Sequence, residues 1–280
     1  MFKNSIQSIN EMARVKKNLL DKSLFQYLLL SALAGAYVGL GVVLAISVGA
    51  PFADLPLPVT SLIMGLSFAV ALILVIFAGA ELFTGNHMIF TVSTLSRVTS
   101  WKDVCKNWFW CFIGNFIGAV ILCLLIVGTG IFKSISPDHL LMTIAVKKMS
   151  MDSSELFFRA ILCNWLVCLA IWTTLRTKSD TAKIMLIFWM LFAFVSSGYE
   201  HSVANMTFLG LALMHPHPEA ITLTGFFHNL APVTLGNIIG GGLFLGTVYW
   251  FIETRQYTQK PEVTKGKDSI NLQKTGSSKY

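Results

Sequence analysis

The chain is 280 residues long, 54% of them hydrophobic and only 12% charged, with a mean hydropathy of +0.66. That balance excludes a water-soluble globular domain and a disordered chain. The net charge of +7 would fit a nucleic-acid binder if the basic residues formed one patch, but they are scattered between apolar stretches, so no nucleic acid partner is expected.

Residues 1–23 are polar and read as a cytoplasmic N-terminal helix, with Ile6, Ile9, Met12 and Ala13 on one face and basic residues elsewhere, solvated or lying at a membrane surface. Beyond them, intervals free of Asp, Glu, Lys and Arg run over 24–53, 55–80, 107–132 and 220–252, each longer than the roughly 20 residues that cross a bilayer. Two shorter runs, 160–175 and 184–199, bring the expected number of crossings to six. The first span is too long for a signal peptide and lacks a small-residue cleavage site, so it is expected to stay in the mature protein. Residues 253–280, rich in Lys, Thr, Ser and Gln, read as a disordered cytoplasmic tail.

With six crossings, Lys133, Lys147, Lys148 and Arg159 fall on one side and the remainder of the 21 basic residues on the other. Cytoplasmic loops retain positive charge, so both termini are placed in the cytoplasm of a multi-pass cell (inner) membrane protein surrounded by lipid. Trp101, Trp108, Trp110, Tyr249 and Trp250 lie near the expected cytoplasmic ends of the third and sixth spans, where amphipathic rings favour the interface. The 5 cysteines have neither CxxC nor Cys/His metal spacing and read as buried thiols, so no metal or cofactor is expected.

An internal repeat carries the most information. Ala80-Glu81-Leu82-Phe83-Thr84-Gly85-Asn86 is echoed by Tyr199-Glu200-His201-Ser202-Val203-Ala204-Asn205, the glutamates 119 residues apart. Gly114-Asn115-Phe116-Ile117-Gly118 recurs as Gly236-Asn237-Ile238-Ile239-Gly240 at an offset of 122. Three crossings per repeat is an odd number, so the second copy enters the membrane from the opposite face. The fold class expected is an all-α membrane protein with an inverted 3+3 repeat, the copies spanning about 24–132 and 156–252.

Glu81 and Glu200 are acidic residues at membrane depth, and each is followed five residues on by an asparagine, Asn86 or Asn205. A carboxylate there is costly unless donors surround it, and the freed N–H groups of broken second and fifth helices are the natural ones. Glu81, Glu200, Asn86 and Asn205 are therefore assigned to supporting two loops that meet near the midplane. Half-helix N-termini at that point favour a small anion over a cation.

Several motifs in chain order carry a family resemblance. They are Ala34-Gly35-Ala36-Tyr37-Val38-Gly39-Leu40-Gly41, Glu81-Leu82-Phe83-Thr84-Gly85, Cys163-Asn164-Trp165-Leu166-Val167-Cys168-Leu169-Ala170, Ser197 through Met206 and Val233-Thr234-Leu235-Gly236-Asn237. The chain resembles the formate/nitrite transporter family over about residues 24–252, and its Leu175-Arg176-Thr177, Glu219-Ala220 and His228-Asn229-Leu230 look most like the nitrite branch. The resemblance implies an aquaporin-like protomer in a homopentamer, each protomer carrying a pore for nitrite or a similar monovalent anion such as formate or hydrosulfide. It implies a central site of Thr84 and His201 with Asn164 nearby, an outer constriction of Phe68 and Phe194, and an inner one of Leu72, Leu82 and Val167. Lys148 corresponds to an external vestibule lysine, here preceded by Lys147.

On this reading the protein is a transporter or channel and not an enzyme. His201-Glu200 with Ser202 lacks the third group a nucleophilic site requires. Whether His201 hydrogen-bonds the anion or protonates it stays open, since burial lowers a histidine pKa and a neighbouring carboxylate raises it. A structural role is the alternative for Thr84, as a helix cap, and for the Phe and Leu positions, as ordinary core.

Overall fold

The computed structural model describes residues 3–55 and 58–258, all of them helical or connecting segments. α1 (Lys3–Lys22) precedes α2 (Leu24–Gly49), which Ser23 caps by accepting the Gln26 N–H. α3 (Val59–Phe68) and α4 (Val70–Phe77) run to a turn at 78–79 and a short extended stretch at 80–82, after which α5 (Phe83–Leu95) begins. α6 (Trp101–Thr129) opens on a reciprocal Ser100/Asp103 capping box, closes at left-handed Gly130, and is followed by the short α7 (Leu140–Ser150). α8 (Ser153–Thr174) and α9 (Asp180–Ser196) lead to a turn at 197–198 and a second short extended stretch at 199–201, then α10 (Ser202–Leu213). α11 (Leu223–Ile239) widens into a π-helical turn at Gly240–Thr247 and continues as α12 (Val248–Thr258).

Among the described residues, five helical stretches are long and apolar enough to cross a membrane: Leu24–Phe52, Val59–Phe77, Trp101–Thr129, Ser153–Thr174 and Leu223–Glu253. The segment expected as a broken fifth crossing holds α9 and the shorter apolar α10. Large apolar side chains remain exposed around the outside, among them Phe25, Leu125, Phe158, Leu223 and Phe227. Water does not tolerate an apolar perimeter of that kind, and lipid does. The chain is a multi-pass membrane protein.

Helix pairs approach through glycines. A Cβ at Gly118 in α6 would lie 1.8 Å from the Ala32 carbonyl oxygen of α2, and one at Gly240, where α11 widens, 2.2 Å from the Ile161 carbonyl oxygen of α8. Only hydrogen fits there, and the close approach replaces the hydrophobic driving force that lipid does not supply.

Three sequence expectations change. α1 is not solvated all round: Ile9 and Ala13 are fully buried against Met88, Phe90 and Val92 of α5, because its apolar positions recur every three to four residues. Cys105 is exposed at the start of α6, whereas the other four cysteines are buried. Helix α12 runs to Thr258, past the residue-253 boundary expected for the tail, and the rest of that tail lies outside the described residues.

The exposed end of α1 is tethered electrostatically. Lys106 and Lys17 both bond Asp21 and hold its carboxyl below its usual value, while Asp21 raises Lys17. A depressed carboxylate pKa stabilises above the ordinary carboxylate range and is lost as pH falls, though at this exposure the contribution is small.

Replacing either Gly118 or Gly240 by alanine is expected to lower stability by about 1–3 kcal/mol, because the methyl group meets backbone that cannot swing aside. Thermal unfolding of the detergent-solubilised protein, with Gly128→Ala as a control at a position open to added volume, checks it.

Candidate functional site

The two extended stretches carry the polar groups that the helix breaks release, and two asparagines satisfy them. Asn115 on α6 donates from Nδ2 to the carbonyls of Ser31 (2.7 Å) and Glu81 (2.8 Å), and its Oδ1 accepts the Phe83 N–H at 2.9 Å. Asn237 on α11 donates to the carbonyls of Ala160 (2.8 Å) and Glu200 (3.0 Å) and accepts the Ser202 N–H at 2.9 Å. The backbone N–H of Glu81 donates to Leu30 and that of Glu200 to Arg159. Each bond in the first set has a counterpart in the second, so the helix ends that start α5 and α10 are held in the same way.

The glutamates were expected to hold loop N–H groups, but their carboxylates face side chains. Both oxygens of Glu81 lie 2.7 Å from Lys16 Nζ on α1, and Oε2 also accepts from Asn86 at 3.2 Å. Glu200 Oε1 accepts from Lys148 at 2.7 Å, and Oε2 from Asn205 at 2.6 Å. The physical reason is that a carboxylate buried to 3–8% side-chain exposure is compensated far better by an ammonium group than by a neutral amide. Asn86 reaches Asn107 (3.1 Å) and Asn205 reaches Asn229 (2.7 Å), which extends each cluster to the neighbouring helix.

Lys148 is therefore committed to Glu200, its ammonium 5.5 Å from the Phe208 ring, and does not project freely into solvent. It does line a cavity of about 390 Å³, on the side expected to be the outer one, together with Lys147, Arg159, Glu200 and His201. Phe68 and Phe194 line that cavity too, and their rings meet edge to face at 5.6 Å. Both rings also border a hollow of about 10 Å³ on the other side, close to the least space that holds one water. Leu72, Leu82 and Val167 line this hollow, joined by Val38, Ala71 and Leu191, which the sequence reading omitted because apolar helix residues carry no mark of facing a cavity.

His201 borders both spaces and stacks on Phe194 at 6.0 Å. Its Nδ1 accepts the Ala204 N–H at 3.1 Å, capping α10, and its Nε2 lies 2.9 Å from Thr84 Oγ1. Thr84 is fully buried in the first turn of α5, and Asn164 Nδ2 reaches its carbonyl at 3.1 Å. Thus Thr84, His201 and Asn164, drawn from three helices, come together between the two extended stretches.

Residues 4–251 match the formate/nitrite transporter family. The chain belongs to the formate/nitrite transporter family. It is 43% identical to the nitrite transporter NirC of Salmonella typhimurium over 238 residues, 82% of this chain and 84% of that protein. Among solved structures it resembles an FNT family ion channel at a TM-score of 0.86 and 40% identity, covering 90% of this chain and 99% of the other. A pentameric formate channel with formate bound aligns at a TM-score of 0.71 and 34% identity, covering 83% and 98%. Members of this transporter family are transporters and channels rather than enzymes.

Lys16, His87, Asn107 and Tyr27, whose hydroxyl accepts from Asn107 Nδ2 at 2.7 Å, escaped the sequence reading. Lys16 sits in a basic, polar segment that gives no hint of a partner 65 residues away. His87 was within reach: it is a polar ring inside an apolar run and one turn after Thr84, but a search for spans that counts only Asp, Glu, Lys and Arg passes over histidine.

Asn237→Leu leaves the Ser202 N–H and Glu200 carbonyl buried without partners, so a loss of about 1–3 kcal/mol per orphaned group is expected, and the same for Asn115→Leu at Phe83 and Glu81. Chemical denaturation in detergent compares the two; a variant as stable as the parent would show that these amides do not support the breaks.

Proposed function

We propose that this protein is a channel for small monovalent anions, nitrite foremost, with one pore through each protomer of a homopentamer in the cell membrane and both termini in the cytoplasm. The observation that carries the reading is the 2.9 Å contact between Thr84 and His201 at the facing starts of α5 and α10, next to a ring of apolar side chains. Identity to the Salmonella nitrite transporter favours nitrite, and the neighbouring formate channel makes formate the closest alternative.

The recurring hydrogen bonds of Asn115 and Asn237 support an inverted repeat of three crossings each: α2, the broken α3–α5 and α6, then α8, the broken α9–α10 and α11–α12. In that arrangement the positive ends of α5 and α10 both point inward, where an anion that has lost its water finds compensation. Lys147 and Arg159 raise the local anion concentration in the outer cavity, while the Phe68/Phe194 pair and the Leu72/Leu82/Val167 ring turn back hydrated cations, which have no replacement ligands there.

Hydrogen geometry distinguishes the two roles for His201. Because Nδ1 accepts the Ala204 N–H, the neutral ring carries its hydrogen on Nε2 and donates it to Thr84 Oγ1. The Thr84 hydroxyl hydrogen is then available to an anion. An imidazolium would place a second hydrogen on Nδ1, opposing Ala204 N–H and breaking the cap of α10. That supports hydrogen bonding of the anion by Thr84 over proton donation by His201.

Proteoliposomes containing the purified chain are expected to take up nitrite without an imposed proton gradient, with weaker competition from formate and hydrosulfide. Thr84→Val is expected to reduce flux at least about tenfold, the value of a hydrogen bond to a charged group. His201→Asn keeps an acceptor for Ala204 N–H but withdraws from Thr84, so flux falls at every pH while the shape of the pH profile is retained. Accumulation driven by a proton gradient and a pH profile altered in His201→Asn would together establish proton-coupled transport instead. Robust formate flux without nitrite flux would move the substrate assignment to formate.

A further inference from the structure

Asn164 was placed beside the central site, and its amide is held from behind. Its Nδ2 has two hydrogens and lies within reach of three groups: the Thr84 carbonyl (3.1 Å), the Asn237 carbonyl (2.6 Å) and His87 Nδ1 (2.9 Å). His87 Nδ1 is also 3.2 Å from the Asn237 carbonyl. That carbonyl lies at the edge of the π-helical turn, where the widened ladder admits side-chain donors.

His87 itself is fully buried and has little freedom to rotate. The Phe83 ring meets it edge to face at 4.3 Å and the Trp108 ring at 4.9 Å. Gly241 leaves the space in which the amide sits: a Cβ there would fall 2.5 Å from Asn164 Nδ2 and 3.0 Å from the His87 Cβ. The Nε2 of His87 is buried and makes no hydrogen bond among the described residues, so the ring's polar contacts are those of Nδ1.

We infer that His87 is a positioning residue of the Thr84/His201 site: its Nδ1–H donates to the Asn237 carbonyl and fixes the acceptor to which the Asn164 amide ties the first turn of α5, at the π-helical turn of α11. The inference rests on the reading of Thr84 and His201 as the central site. His87 acts through Asn164 and touches neither His201 Nε2 nor Thr84 Oγ1 in the hydrogen bonds present. Its effect is on the placement of Thr84, and therefore on how tightly and how selectively an anion is held there.

Side-chain length offers a direct test. Asparagine carries its polar atom where histidine has Nδ1, and can present either the oxygen or the nitrogen by turning its amide; glutamine carries it where histidine has Nε2. In proteoliposomes with the full chain, His87→Leu is expected to lower nitrite flux about tenfold and to change the nitrite-to-formate flux ratio. His87→Asn is expected to return both to within about twofold of the parent, with His87→Gln remaining near His87→Leu. A purely space-filling role would leave the flux ratio unmoved and would not distinguish the two amides.

Parental flux in His87→Leu overturns the inference. So does recovery by His87→Gln but not by His87→Asn, which would assign the role to Nε2, and so does equal loss in all three variants in folded protein. If His87→Leu fails to fold, the Asn and Gln pair decides by itself. Thr84→Val measured alongside separates the two levels: an unaffected Thr84→Val removes the central-site reading, whereas a crippled Thr84→Val with unaffected His87 variants removes only the role of His87.

Discussion

Where a helix stops and another restarts inside a packed apolar interior, backbone N–H and C=O groups are released with no water to take them, and the structure meets that demand twice. Asn115 and Asn237 meet it, each with one amide that accepts an N–H from the helix that restarts and donates to carbonyls on two other segments. An amide can do this only if its helix lies almost in contact with its neighbour. Gly118 and Gly240, one turn away from each asparagine, permit that approach. Close helix packing and the interrupted helices are therefore one feature seen at two scales.

Charge is handled with the same pairing. Glu81 and Glu200 would be prohibitively costly alone, and each is matched by a lysine from a helix outside the breaks, Lys16 on α1 and Lys148 on α7. With the carboxylates neutralised, the remaining electrostatics at the facing starts of α5 and α10 are the positive helix ends and the N–H and O–H donors of His201 and Thr84. A site that had kept its carboxylates unpaired would repel the anions that the family carries. The N-terminal helix is in this sense part of the site: its buried face packs on α5 and its lysine completes the cluster around Glu81.

Much of this architecture was legible in the chain because it depends on local composition and on spacing. Charge-free runs marked the helices, the Glu-to-Asn spacing marked both breaks, and the Gly-Asn-x-x-Gly echo marked the two helices whose asparagines serve those breaks. His201 and Thr84 were singled out through the family resemblance, at positions next to those breaks. Less visible was anything whose partner is remote. The pairing of Lys148 with Glu200 bridges 52 residues and that of Lys16 with Glu81 bridges 65, so the sequence shows a vestibule lysine and a basic segment where the structure has two ion pairs.

Local sequence by itself determined that the chain is a helical membrane protein, since apolar run length acts within a few residues of itself. Tertiary structure alone decided which side chains face the cavities, why Val38, Ala71 and Leu191 join the apolar ring, and which nitrogen of His201 carries hydrogen. It also decided that His87 and Asn164 meet behind Thr84, a contact that requires three helices and the bare backbone of Gly241 to converge. Those outcomes depend on distances between helices far apart in the chain, and no local propensity encodes a distance.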